Sequence, residues 1–201
     1  LGVPAEKIIV VPNGVDKRFY ESAPALFNEK YGIENFVLNV GHVGPARKNV
    51  LTLLGALEEI DVPAVIIGRV EENDYGRACV ELAAKNPRVK MLEAIPNDSP
   101  LLASAYAACD VFALPSQFET PGIAALEAGL AGAKIVVTKY GGTMEYFGEH
   151  ATYVDPGSEA SVRDGIVASL GMEKTGILRE YIRKEFLWER VSEKTLEVYK
   201  F

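Results

Sequence analysis

Two carboxylates raise the first chemical question. Glu119 and Glu127 stand eight positions apart in "QFETPGIAALEAGLAGAK", residues 117–134. From Thr120 to Ala133, every residue except Glu127 is small, apolar or conformationally special. A carboxylate buried without partners is costly, so something should hydrogen-bond to Glu127. An ionised carboxylate only accepts, and its two oxygens can take two hydroxyls at once. Vicinal hydroxyls of a ribose or hexose offer donors at about that spacing, which makes a polyhydroxyl ligand one natural partner. Two other readings stand beside it. The head group reaches solvent or a neighbouring Arg, or the two acids form a general acid/base pair. Their placement weakens the pair, because Glu119 lies in a loop and Glu127 lies about a helical turn and a half deeper. Glu119 alone reads as a surface loop acid.

The second candidate is basic. In "GHVGPARKN", residues 41–49, two glycines let the chain turn tightly. Arg47 and Lys48 then stand at the start of the next helix, with Asn49 as its expected N-cap. Free amides, the positive end of the helix dipole and two cations make a phosphate site. A pair of solvated surface cations is the plain alternative. "YGGTMEYFG", residues 140–148, repeats the pattern: Gly141 and Gly142 precede a short helix carrying Glu145. A simple β–α turn is the alternative there. His42 falls at the end of a strand, whereas His150 reads as a surface residue. No Ser/His/Asp or Cys/His set is arranged for a nucleophile.

Several motifs are missing. There is no G-x-x-x-x-G-K-[ST], no G-x-G-x-x-G, no H-E-x-x-H and no G-x-S-x-G. Their absence weighs against P-loop hydrolysis, dinucleotide binding, zinc proteolysis and serine esterase chemistry. No metal-ligand spacing is seen, and neither Cys79 nor Cys109 lies in C-x-x-C. Both read as reduced, buried thiols.

The elements that must position these residues alternate. Apolar runs of strand length occur at 7–12, 36–41, 64–68, 88–92, 110–116, 134–138 and 152–156. The first ends in "PNG", a turn signal. After the second, Val50, Leu53, Leu54, Leu57 and Ile60 mark an amphipathic helix. Helical segments follow at 73–85, 98–108 and 158–200. The helix bearing Glu127 is expected to begin with Thr120 as cap and Pro121 in its first position. Strands that are apolar throughout and alternate with helices imply a parallel sheet covered on both faces. The expected fold is therefore α/β, a single doubly wound Rossmann-like domain with a mostly parallel sheet. In such a fold a ligand lies beyond the carboxyl ends of the strands. His42–Lys48, Arg69, Ile95–Asn97, Gln117–Ile123 and Tyr140–Glu145 all fall there. In the tail, Trp188, Val191, Thr195 and Val198 share one helical face. That face either packs on this domain or docks on another.

Composition sets outer limits. The 201 residues are 48% hydrophobic and 24% charged, with a formal charge of −7. This is ordinary for a globular domain and argues against a general nucleic-acid binder. No apolar run has the length of a membrane span. A cytoplasmic protein is expected, possible peripheral attachment to a membrane being left to the full-length chain.

The residues also resemble a known family. "PSQFETPGIAALEAGLAGAKIVVTKYGGTMEYFGEHATYVDPGS" is similar to the C-terminal half of retaining glycosyltransferases of GT-B fold, family GT4. Glu119 and Glu127 match the Glu-x7-Glu motif of that family. "VVPNGVD" (10–16), "YAACDVFALPS" (106–116) and "YVDPGS" (153–158) match further phrases, and the likeness covers about residues 1–200. The resemblance implies that residues 1–201 form a nucleotide-sugar donor-binding domain. Glu119 would face the donor sugar hydroxyls and Glu127 the ribose hydroxyls. Gly122 and Ile123 would offer backbone amides to the sugar, and Gly142 would belong to the same donor site. Lys48, with Arg47, would hold the diphosphate, and the nucleobase would pack near Ile95–Asn97. The donor is a substrate, and no cofactor or metal is implied. An acceptor saccharide, lipid or other hydroxyl compound would bind an N-terminal domain absent from this chain, so the chain alone should be inactive. A nucleotide-sugar epimerase half and a non-catalytic sugar-nucleotide-binding module are the alternatives. Three departures are visible. His42 stands where the family usually has Arg, so either Arg47 compensates or diphosphate binding becomes pH-dependent. The loop to Lys48 is one residue longer than in many members. The commoner E-G-F-G is E-T-P-G here, and Pro121 lacks an N–H.

Overall fold

From residue 36 onward each apolar run forms a strand, and a helix follows every one. The computed structural model describes residues 2–4 and 7–200. The strands are β1 (Val37–Val40), β2 (Ala64–Ile67), β3 (Val89–Leu92), β4 (Val111–Leu114), β5 (Lys134–Thr138) and β6 (Thr152–Val154). They form one sheet in the order β3-β2-β1-β4-β5-β6, with every neighbouring pair parallel. A first helix, α1 (Ala25–Tyr31), precedes the sheet. The others are α2 (Val50–Glu58), α3 (Asp74–Lys85), α4 (Pro100–Ala108), α5 (Ile123–Ala131), α6 (Thr143–Phe147), α7 (Glu159–Leu170), α8 (Ile177–Glu185) and α9 (Trp188–Val198).

Successive strand residues face opposite sides, so the sheet builds two cores. Leu38, Val65, Ile67, Phe112 and Ile135 pack with Phe27, Tyr106, Leu126 and Ile182 from α1, α4, α5 and α8. Val37, Ala64, Ile66, Val111 and Val136 pack with Leu53, Leu57, Cys79 and Ile166 from α2, α3 and α7. Side chains cap several helices: Asn73 accepts from the Gly76 N–H, Ser99 from Leu101 and Ser158 from Ser161. Each cap satisfies one amide that the helix cannot.

Four local expectations change. Residues 7–12 do not join the sheet, and Ile8, Ile9 and Val10 are 56%, 56% and 77% exposed. An apolar run becomes a strand only where another strand pairs its N–H and C=O groups, and the six-stranded sheet does not supply one here. The chain docks from Asn13, whose N–H donates to the Tyr146 hydroxyl at 2.9 Å, and then at Val15, whose N–H donates to the Phe186 carbonyl. The expected 158–200 helix is three helices, α7 to α9, broken at Gly171–Gly176 and at Phe186–Leu187. On α9, Val191 is buried but Trp188 is half exposed.

The third change concerns α5. It begins at Ile123 rather than at Pro121, and its cap position is Gly122, at φ +67°, rather than Thr120. This left-handed conformation suits glycine, and it turns the chain sharply between the Glu119 loop and the helix.

The fourth concerns Asn49. It stands before α2, but its side chain makes no capping bond to that helix. Its Nδ2 instead donates to the carbonyls of Pro115 (2.9 Å) and Pro156 (2.7 Å), and its Oδ1 accepts from Thr52 (2.8 Å). Three loops at one sheet edge are thus tied by one buried amide. Asn49→Ala should lower stability by about 2–4 kcal/mol in denaturant unfolding. Asn49→Gly, which removes the strain of φ +58° but not the lost bonds, should recover only about 1 kcal/mol of that.

Candidate functional site

All six strands run in one direction, so their following loops gather at one edge. The strand order reverses between β1 and β4, and the loops that leave those strands diverge. A cavity of about 540 Å³ opens at this point. The loop after β1 brings His42, Arg47 and Lys48 to its wall, and the loop after β2 brings Arg69. Ile95 and Asn97 come from the loop after β3. Glu119, Gly122, Ile123 and Glu127 come from the loop after β4 and from α5.

Glu127 is only 7% exposed, and its carboxylate has partners inside the protein. One oxygen accepts from Asn97 Nδ2 at 2.9 Å, the other from the Tyr106 hydroxyl at 2.9 Å. Burial pushes the Glu127 carboxyl above the ordinary carboxylate range. The bonds from Asn97 and Tyr106, and then the Arg18 charge, act against that rise. Tyr106 is itself 1% exposed, and burial together with the Glu127 charge pushes its phenol well above the usual range. It therefore remains a proton donor.

Glu119 pairs with Lys48 at 2.6 Å, with side chains only 11% and 22% exposed. Acid and cation thus meet at the cavity wall. The backbone of Glu119 is fixed from behind. Its C=O accepts from the Gly142 N–H at 2.9 Å, and it forms a parallel bridge with Gly141. A Cβ on Gly141 would lie 1.9 Å from the Glu119 carbonyl oxygen, so this approach requires glycine. Gly142 is absent from the cavity wall and touches the site through that one bond.

The phosphate-binding features are distributed differently from the expectation. Arg47 and Lys48 lie on a short 3₁₀ turn, Ala46–Lys48, ahead of α2. The Leu51 amide at the start of α2 already donates to the Tyr75 hydroxyl at 3.1 Å. The first amides of α5, those of Ile123 and Ala124, lack intrahelical partners by geometry, and both residues line the cavity. His42 lies 4.0 Å from Glu71. Arg47 and Arg69 are exposed and make no ion pair among the described residues.

Two partners of Glu127 were not legible as such. Tyr106 reads as one more aromatic on an apolar helix. The available signal was its type, since a buried Tyr needs a partner for its hydroxyl where a Phe would not. Asn97 lies in an exposed loop, and no local pattern aims it at α5.

A second cavity, of about 420 Å³, opens at the other end of β5 and β6. Its wall includes Lys134 and Lys174, which already bond Asp110 and the carbonyls of Cys109, Leu170 and Met172. Burial pushes the thiols of Cys79 and Cys109 up to about 11 and about 12, so both stay protonated. No group of three or more His, Cys, Asp or Glu among the described residues is placed to hold a metal ion. No helix among them is long and apolar enough to cross a membrane.

An α/β sheet with acids, cations and helix amides gathered at its crossover defines a Rossmann-like ligand-binding domain, and this one matches the C-terminal half of GT-B enzymes. The sequence model of the glycosyl transferases group 1 family matches residues 26–185. The chain belongs to that family. It is 26% identical to the uncharacterized glycosyltransferase MJ1607 of Methanocaldococcus jannaschii, over 98% of this chain and 55% of that protein. It is 25% identical to O-antigen chain mannosyltransferase B of Escherichia coli, over 98% of this chain and 55% of that protein. The crystal structure of Anabaena Alr3699/HepE in complex with UDP superposes with a TM-score of 0.84 at 25% identity, over 99% of this chain and 59% of that one. The chain thus spans about half the length of the curated relatives it matches.

Charge and stability at Glu127 should be separable from its contact with a ligand. Gln at this position can accept from Asn97 and turn its amide to the Tyr106 oxygen, which keeps those contacts but leaves the buried Tyr106 proton without its acceptor. Glu127→Gln should therefore stay close to the parent in melting temperature at pH 7, because removal of a desolvated charge offsets the bond that Tyr106 loses. A carboxyl raised in the folded state destabilises the fold above its folded pKa and ceases to do so once protonated. Any advantage of Glu127→Gln should then shrink as pH falls from 7 towards 4.5, which thermal scans at several pH values will show.

Proposed function

We propose that residues 1–201 form the nucleotide-sugar donor-binding domain of a retaining glycosyltransferase. The carrying observation is that Glu119, Glu127, Lys48 and the first amides of α5 all line one cavity at the crossover. The division of labour follows the chemistry of each group. The remaining acceptor capacity of Glu127 suits the two ribose hydroxyls. Glu119, in the loop ahead of α5, takes donor sugar hydroxyls, and the amides at Gly122 and Ile123 lie beside it. Arg47, Lys48 and the exposed His42 face the diphosphate, and Arg69 adds a fourth basic group at that wall. The nucleobase lies against Ile95 and Asn97. Gly142 serves the donor indirectly, by holding Glu119 in place.

The reaction breaks the bond between the anomeric carbon and the terminal phosphate oxygen. Negative charge then builds on the departing diphosphate, and pre-placed cations and helix amides lower its energy. The acceptor hydroxyl oxygen forms the new bond with retention at that carbon, and its proton goes to the departing diphosphate. Its binding site would belong to another part of the full-length protein, which accords with a chain that spans about half of its relatives. The full-length protein would act in the cytoplasm, where protonated, buried Cys79 and Cys109 are at home, on a soluble or membrane-borne acceptor.

Calorimetric titration of this chain with UDP, GDP and ADP should show one nucleotide that binds, and Lys48→Met should weaken it about tenfold. Silence from all three at millimolar concentration would sink the donor-domain assignment. The isolated chain should transfer no sugar, while the full-length protein should do so. Transfer by the isolated chain would overturn the placement of the acceptor site elsewhere.

A further inference from the structure

Tyr106 and Asn97 reach Glu127 from different elements. Tyr106 comes from α4 and is locked in the core, edge-on to Phe19 (5.6 Å) and to Phe112 (5.7 Å). Asn97 comes from the loop after β3, and Arg18 braces it by donating to its main-chain carbonyl and to its Oδ1. Each takes one Glu127 oxygen, at 2.9 Å in both cases. A carboxylate offers about four acceptor positions, two on each oxygen. One position per oxygen therefore remains, and Glu127, Tyr106 and Asn97 all line the same cavity. Two donors from two elements also stop the carboxylate from rotating about its terminal bond. Both bonds favour its charged form, which burial alone disfavours.

We propose that Tyr106 and Asn97 are positioning residues that fix the Glu127 carboxylate as a two-oxygen acceptor for the vicinal diol of a nucleoside diphosphate. The proposal rests on the ribose role given to Glu127 above. Its consequence is selectivity for ribonucleotides, set partly by residues that need not touch the ribose.

The test compares each nucleoside diphosphate that binds this chain with its 2′,3′-dideoxy form. The readout is the ratio of the two dissociation constants. In the parent that ratio should be about tenfold or more, since two hydrogen bonds to a charged group are lost. Tyr106→Phe should reduce the ratio about threefold or more, with dideoxy binding changed less than twofold; Asn97→Ala, which also removes a contact beside the nucleobase, should weaken dideoxy binding too but still reduce the ratio about threefold or more. A purely structural role would weaken both ligands alike and leave the ratio intact. Adding Tyr106→Phe to Glu127→Gln should reduce the ratio no further. Asn97→Ala alters an exposed loop residue, so it reports even if Tyr106→Phe lowers stability. If Glu127→Gln collapses the ratio while Tyr106→Phe and Asn97→Ala leave it unchanged, the positioning proposal is wrong and the ribose role stands. If the parent ratio is near one, or Glu127→Gln leaves it unchanged, the ribose role fails and the proposal fails with it.

Discussion

Parallel strands deliver all their following loops to one edge, and the strand order here reverses between β1 and β4. Helices that leave neighbouring strands toward opposite faces cannot close over that point. The crevice is therefore a necessity of the topology and needs no special residue to open it. What fills its wall depends on which residues follow each strand. In this chain those residues are basic after β1 and β2, and acidic after β4. The crevice thus has two chemical ends, one suited to phosphates and one to hydroxyls.

Glu119 and Glu127 hold partners inside the protein, whereas Arg47 and Arg69 make no ion pair among the described residues. Lys48 is bonded to Glu119, His42 lies near Glu71, and Glu127 is bonded by Asn97 and Tyr106. This limits the cost of carrying charge in a partly desolvated place. A diphosphate held by Lys48, as proposed, would share that cation with Glu119. The basic and acidic ends of the crevice are thus linked through a single ion pair. The backbone behind Glu119 is equally constrained, since Gly141 and Gly142 bring the loop after β5 against it.

Rigidity at the edge comes from polar side chains as much as from the core. Asn49, in the loop after β1, joins those after β4 and β6 through two hydrogen bonds, takes a third from Thr52 of α2, and sits next to Lys48. Arg18 braces Asn97, which in turn holds Glu127, so the segment entering the fold reaches the candidate site in two steps. The chain ahead of that segment is different. Ile8, Ile9 and Val10 are exposed, and their apolar character is not used by the described residues.

The strand-helix alternation was legible in the sequence, because strands buried on both faces must be apolar at every position. That alternation placed the ligand edge, and with it His42, Arg47, Lys48, Glu119 and Glu127. Glu127 was legible as a carboxylate in need of donors, for a charge in an apolar helix cannot stand alone. The tertiary structure decided which donors those are. Tyr106 lies 21 positions from Glu127 and Asn97 lies 30, and no local periodicity relates residues so far apart. It also decided that Asn49 ties loops where a cap was expected, and that α5 begins after a left-handed glycine at position 122. Residues 7–12 show the same limit from the other side. Their composition favours a strand, but pairing is a property of the neighbour, and composition cannot supply one.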